Sequence, residues 1–496
     1  MFLSLDIPPG VVRLGTEYQS AGRWYDSNLC RWVDGVLRPI GGWAALTGPS
    51  LSSLVVSGAA RGCHAWKVST APYMVIGTHT NLYSYTGTDL FNITPAGLAA
   101  GRADSSTFGG YGIGPYGRGT YGTPRFTNNV DLATTWQFDN FGDDLLAVNN
   151  EDGRLLRWQG NVLVAAAPVV ASAGTVPTGN SGVVVTEERF AMLLGAGADP
   201  RRVAWSNQED YTNWQVTATT QAGDYRISTP GRIRCGRRVR RGVLILTDLD
   251  AHLAQFVGRP GIYGFERVGT GCGIVSPHAV AVEDDFAVWM GQGSFYLFDG
   301  TVRPLPCAVR DYVFTDLNQG QLEKVFALRV PRNKEIWWFY PSAASSENNR
   351  YVAFNYTDNV WSIGALSRTT GVATGVWPNQ VYVGGDGIVY QHEVGTLYDG
   401  ATPYVESGPV ELGDGSNVYR LTRLIPDERT QGQAQARFRT RLYPNGAPTS
   451  SGPFSLANPT SLRITGRQIS VRIEGATGSD WRVGRWRFSA VPLGTR

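Results

Sequence analysis

The order of apolar and polar positions divides the chain into two regimes. Up to about residue 400, short apolar and aromatic runs recur between clusters of Gly, Asn, Asp and Pro. Beyond it, apolar residues alternate with arginine at period two. Long helix-period patterns are nearly absent, so the pattern predicts an all-β protein. The clearest unit is "NKEIWWFYPSAASSENNRYVAFNYTDNVWSIG", in which "EIWWFYP" and "RYVAFNYT" have strand length and turn-residue borders. Both are dense in residues that suit a pleated, half-buried surface, which predicts a hairpin. Adjacent side chains on a strand point to opposite faces, so at least one of Trp337 and Trp338 is expected to be buried between sheets.

Relatives of this hairpin occur along the chain. "YMVIGTHTNLYSYTG" opens at 73, and further units open near 145, 189, 242, 286, 335 and 380. A period of roughly 40 to 50 residues built from short strands is the signature of propeller blades. A blade cannot bury both faces alone, and radial stacking with closure leaves only short edges. A series of sandwiches or a solenoid also gives spaced hairpins, although a solenoid has shorter and stricter repeats. The expectation is a β-propeller of six to eight blades over residues 51–400. Its longest gap holds a Gly/Tyr-rich insertion at 105–126, an exposed loop or strap. The Gly112-x-Gly114-x-x-Gly117 within it lacks the strand-to-helix setting of a dinucleotide site.

Residues 401–496 read as a separate antiparallel β-sandwich platform, with apolar positions facing a core and arginines facing outward. Residues 1–50, irregular and rich in Arg–aromatic pairs, read as an arm packing on the platform or on a neighbour.

Charge sharpens this division. The net charge is +3, but residues 420–496 hold 13 Arg and no Lys against Asp427, Glu428, Glu474 and Asp480, giving +9 and leaving −6 for the rest. Such asymmetry suggests a basic end that meets an acidic protein surface or nucleic acid. Arginine forks suit permanent interfaces better than lysine, while a genome favouring arginine codons gives the same excess. The five cysteines are far apart and at no metal-site spacing, so buried free thiols are expected. The N-terminus shows no secretory pattern and no stretch approaches 18 uninterrupted apolar residues, which leads to the expectation of a cytosolic product with no membrane partner.

The chain shows no His-Glu-x-x-His, Gly-x-Ser-x-Gly, P-loop, EF-hand or repeated Asp box. Propeller glycosidases use carboxylates from separate blades, for which Asp144, Asp248, Asp284, Asp285 and Glu335 are candidates. Asp in a β-turn is usually present for its turn chemistry, so no enzyme, metal or cofactor is expected. In "GRIRCGRRVRRG", Arg232, Arg234, Arg238 and Arg240 share parity, and a regular strand places all four on one face. They read as a subunit contact or a charged strand edge rather than a DNA site, because no aromatic platform interleaves them.

"GTEYQSAGRWYDSNLCRWVDGVLRPIGGW", "RVAWSNQEDYTNW", "GTGCGIVSPHAV", "FAVWMGQGSFYLFDG" and the aromatic hairpin together resemble tail hub or nozzle proteins of short-tailed bacteriophages, also called packaged-DNA stabilisation or tail accessory proteins. The resemblance is densest from about 200 to 365. It implies a propeller on a platform, six copies in a ring below the portal and adaptor, passage of double-stranded DNA, and attachment of fibres or spikes. It implies a place in the virion tail after assembly in the host cytoplasm, and it transfers no catalytic residue. The alternative is a carbohydrate-binding or glycan-cleaving propeller at the tail tip. On the nozzle reading, the arginines of this domain are expected to meet carboxylates of another chain, and most of Arg437, Arg439, Arg441, Arg472, Arg482, Arg485 and Arg487 to point away from the bore.

Overall fold

The computed structural model describes residues 2–108, 129–413, 415–444, 446–475 and 478–495. Strands take up 49% of the chain and helices 5%, which makes the protein all-β. Among the described residues, seven four-stranded antiparallel sheets follow one another along the chain, with neighbouring strands paired in chain order. Their first strands are Ala60–Val68, Trp136–Phe141, Gly182–Val185, Ile233–Val239, Val280–Val282, Phe326–Val330 and Thr370–Val372. These first strands pack on one another from first to seventh, and the seventh packs back on the first. The seventh sheet takes its fourth strand, Trp43–Ala45, from the N-terminal region, where Gln391 faces Ala44.

The second strands explain the repeat seen in the sequence. They begin at Ala71, Asp144, Ala191, Gly242, Ala287, Glu335 and Val381, each within about two residues of a sequence unit. These strands are apolar on both sides because each sheet is covered on both faces by its neighbours. In the sixth sheet, Trp338 packs against Phe295 of the fifth, at 4.8 Å between ring centroids. On the opposite side Trp337 stacks on Tyr351 at 4.5 Å, and Phe339 meets Tyr382 of the seventh sheet. Both tryptophans are buried, each by an amount that favours folding by about 2–3 kcal/mol. Lys334 and Asn359 adopt positive φ (56° and 54°) in the turns on either side of the hairpin of Glu335–Tyr340 and Arg350–Asn355.

The second body is a pair of six-stranded sheets. Platform sheet A joins Cys30–Val33, Val36–Pro39, Val483–Gly494, Val418–Glu428 and Thr460–Gly466, with Phe2–Leu5 added beside Val483–Gly494. Platform sheet B joins Trp24–Asn28, Tyr404–Ser407, Gln468–Gly475, Ala434–Arg441 and Thr449–Ser455, with Val410–Glu411 beside Gln468–Gly475. Residues 1–50, expected as an arm, are instead woven into both platform sheets and into the seventh sheet. Their pairing partners, such as Phe488 opposite Leu3, come from the far end of the chain.

The two bodies share a core in which Trp24 and Trp32 of the platform belong to the same buried cluster as Trp289, Phe295 and Trp338. At that junction Arg31 is buried between Glu335 at 3.2 Å and Glu393 at 2.7 Å. Burial raises the Glu335 carboxyl against the pull of Arg31. Burial also pushes Glu393 upward, but Arg31 and the Gly41 amide outweigh it and hold that carboxyl low. All five cysteines are free. Of the insertion expected at 105–126, residues 109–126 lie outside the described residues; Ser106–Phe108 and Asn129–Asp131, on either side of it, pair as two antiparallel strands.

Candidate functional site

Where the first strands converge lie two hollows of about 440 and 310 Å³ that share Cys63, His64, Arg237, His278 and Val282 as wall. Between them they take wall residues from all seven first strands. His64 stacks on Trp66 at 5.9 Å and donates from Nε2 to Asn140 Oδ1. Arg238 pairs with Asp139 at 3.1 Å, and Asp139 also accepts the Val185 amide at 2.7 Å. Arg329 pairs with Glu283 at 3.5 Å. Among the described residues Arg237 donates to the Gly236 and Pro277 carbonyls, at 3.0 and 2.9 Å. Burial, reinforced by Arg237, brings the His278 imidazole down to about 3, so it is neutral at physiological pH. Burial also lowers His64 and pushes the Cys63 thiol far up, which leaves it unreactive.

Near the end at which the first strands begin lies a group of ion pairs. Arg61, Arg234 and Lys324 stand there against Asp104, Glu323 and Glu347. Arg61 reaches Glu347 at 2.6 Å and the Ala103 carbonyl at 3.1 Å. Lys324, whose side chain is fully buried, pairs with Asp104 and donates to the Ser346 carbonyl at 2.6 Å. Arg234 pairs with buried Glu323. Ser105 and Gln321 exchange two hydrogen bonds, at 3.0 and 2.9 Å, and clamp the segment before the Gly/Tyr insertion onto this end.

The four arginines of "GRIRCGRRVRRG" do not share a face. A bulge between Ile233 and Cys235 breaks the alternation. Arg234 turns to Glu323, Arg238 to Asp139 and Arg240 to Asp285, while the exposed Arg232 offers its amide to Asp248 at 2.7 Å. The arginine that faces the cavity without a carboxylate is Arg237, of the parity the sequence pattern passed over. Its signal was present only as an extra positive charge beside a predicted row. His278, Gln137 and Lys324 carried no motif.

On the platform the expected arginines fall into two groups. On sheet B, Arg437 meets Glu474, Arg439 meets Glu406, Arg441 meets Glu17 at 2.9 Å, and Arg472 meets both Glu406 and Glu474. Arg482 pairs with Asp480 and Arg485 with Asp6. Six of these seven therefore find carboxylates on their own chain. Arg487 on sheet A has none among the described residues, and neither do the exposed Arg420, Arg423 and Arg463 on the same sheet, which the sequence reading had not singled out.

The carboxylates proposed from sequence serve separate local contacts. Asp144 accepts the Tyr211 hydroxyl at 2.6 Å, Asp248 the Arg232 amide, and Glu335 lies in the Arg31 junction. A cleft of about 720 Å³ between the platform and the sixth sheet does gather Asp26, Asp311 and Asp316 with Tyr25, Tyr312 and Tyr404. Each of these carboxylates is met by an arginine: Asp26 by Arg13 at 3.4 Å, Asp311 by Arg310 at 3.2 Å and Asp316 by Arg350 at 3.7 Å. Among the described residues no cluster of His, Cys, Asp or Glu is arranged to hold a metal ion, and no helix is long and apolar enough to cross a membrane.

No protein-family model matches the chain, and no curated protein matches it. Solved structures give faint likenesses. A glycoside hydrolase aligns over 88% of this chain and 98% of its own at 9% identity, with a TM-score of 0.28. The extracellular domain of a hybrid two component system from B. thetaiotaomicron aligns over 84% and 52% of the two chains at 9% identity, TM-score 0.32. PorZ, a surface component of the type-IX secretion system of Porphyromonas gingivalis, aligns over 92% and 58% at 8% identity, TM-score 0.36. The chain spans about half the length of the last two. All three lie below the level at which a shared fold is established.

Proposed function

We propose that this chain is a structural subunit of a virion tail, of the hub or nozzle kind found in short-tailed bacteriophages, built as a seven-bladed β-propeller on a β-sandwich platform. The observation that carries this reading is the platform. Strands from both chain ends meet in its sheets, the N-terminal region also gives the seventh sheet its strand Trp43–Ala45, and sheet A offers Arg420, Arg423, Arg463 and Arg487 without a carboxylate partner among the described residues. Rigid joining and an uncompensated basic face suit a ring subunit that meets acidic neighbours, where charge fixes register and partner choice. Copies of the chain form a ring, six in the family resemblance, between portal or adaptor and fibres or spikes. Double-stranded DNA passes through the bore between subunits. It does not pass through the propeller axis, whose hollows are small.

The glycan-acting alternative has its best location in the cleft of Asp26, Asp311 and Asp316. Glycoside cleavage needs a pair of carboxyl groups free to meet the scissile bond, and here each carboxylate is engaged by an arginine. Light scattering and negative-stain imaging separate the readings. The expected result is rings at low salt, lost when Arg420, Arg423, Arg463 and Arg487 are changed to glutamate. A wild-type chain that stays monomeric across concentration and salt, and that cleaves or retains oligosaccharides, overturns the proposal.

A further inference from the structure

We propose that the axial cavity is a binding site for a small oxyanion, of which inorganic phosphate is the simplest, held by Arg237. Three arginines line the hollows, and two are neutralised nearby, Arg238 by Asp139 and Arg329 by Glu283. Arg237 belongs to the wall of both hollows and has no carboxylate partner among the described residues. Two of its N–H groups are satisfied by carbonyls, which orient the guanidinium and leave further donors of the fork unused. A half-buried guanidinium held in place without a counterion favours an anion, and an oxyanion matches its planar geometry.

The wall carries unmet hydrogen-bonding capacity beside this charge. His278 contributes to both hollows, with the Trp136 and Arg61 backbone carbonyls close to its ring. Gln137, 2% exposed, donates from its amide nitrogen to the Ser181 and Arg234 carbonyls, each at 3.0 Å, and its buried Oε1 is left without a donor. Buried polar atoms are rarely left unpaired in proteins. An oxyanion that also carries a hydroxyl, as phosphate does near neutral pH, offers both an acceptor for Arg237 and a donor for Gln137. Arg237 opposes protonation of both His64 and His278, which line the same hollows. The inference is independent of ring assembly, because every residue in it belongs to the seven-sheet body.

Calorimetric titration of the full chain with inorganic phosphate, alongside thermal unfolding in phosphate and in sodium chloride of equal ionic strength, tests the site. The expected result is saturable phosphate binding and a rise in unfolding temperature that chloride does not reproduce. Arg237→Gln should weaken phosphate binding by about tenfold or more, the loss expected for a charge-assisted hydrogen bond. Arg240→Gln, which removes an exposed pair with Asp285 outside the cavity wall, should leave it unchanged. If the glutamine variant does not fold, Arg237→Lys keeps a cation but not the fork, and weaker binding is again expected. Binding by a folded Arg237 variant equal to wild type, or an equal response to chloride, overturns the proposal.

Discussion

The two platform sheets are written in the same alphabet and end in opposite electrostatic states. Both alternate apolar residues with arginine, and both bury the apolar set against the other sheet. On sheet B, Arg472 lies directly across from Arg437 on one side and from Glu406 on the other, with Glu474 close by. The like-charge pair is tolerated because two glutamates, both largely buried, stand among the guanidinium groups. On sheet A, Arg420, Arg423 and Arg463 lie on paired strands flanked by Ser461, Thr465 and Val491 instead of acids. Alternation thus predicts that an arginine is exposed. Whether it is neutralised depends on which strand the fold lays beside it.

The two platform sheets share one core. Phe438 is fully buried and touches Phe454 within sheet B and Trp486 and Phe488 of sheet A. Phe438→Ala should cost about 3–5 kcal/mol in chemical denaturation, and a loss below about 1 kcal/mol would mean that the sheets do not depend on each other. Next in size is Glu406→Ala, which strips the carboxylate shared by Arg439 and Arg472. A loss of about 1–3 kcal/mol is expected, less than for a fully buried pair because both arginines are partly solvated.

Smaller still, Arg423→Ala and Arg463→Ala should change stability by no more than about 0.5 kcal/mol, as for surface sites without partners. If the chain assembles into the proposed ring, the same changes should weaken that assembly and its dependence on salt. A stability loss equal to that of Glu406→Ala would erase the distinction between the sheets. The smallest effect concerns pH. Burial raises the Glu406 carboxyl above its ordinary value near 4.5, against the pull of Arg439 and Arg472. A raised folded value means that this contribution to stability is full below about 4.5 and is lost as pH climbs through the raised value. Glu406→Gln should therefore flatten the stability profile over that interval, and an unchanged profile would show that the carboxyl titrates as it does in the unfolded chain.

Local patterning was enough for a large part of this protein. The hairpin units near 73, 145, 189, 242, 286, 335 and 380 could be read because each second strand is a short apolar run between turn residues, and each is a second strand in the structure. The burial of Trp337 and Trp338 followed from their place in such a run, and the outward arginines of Ala434–Arg441 from strict alternation. What depends on distant partners left no local trace. Leu3 pairs opposite Phe488 and Trp43 opposite His392, so residues 1–50 looked like an arm when read alone. The bulge at Ile233/Cys235 reversed the parity on which the row of Arg232, Arg234, Arg238 and Arg240 rested. Side-chain alternation is a property of one strand and is written in adjacent residues. Strand pairing, the neutralisation of a buried charge and the walls of the axial cavity are made by residues hundreds of positions apart, which only the folded chain brings together.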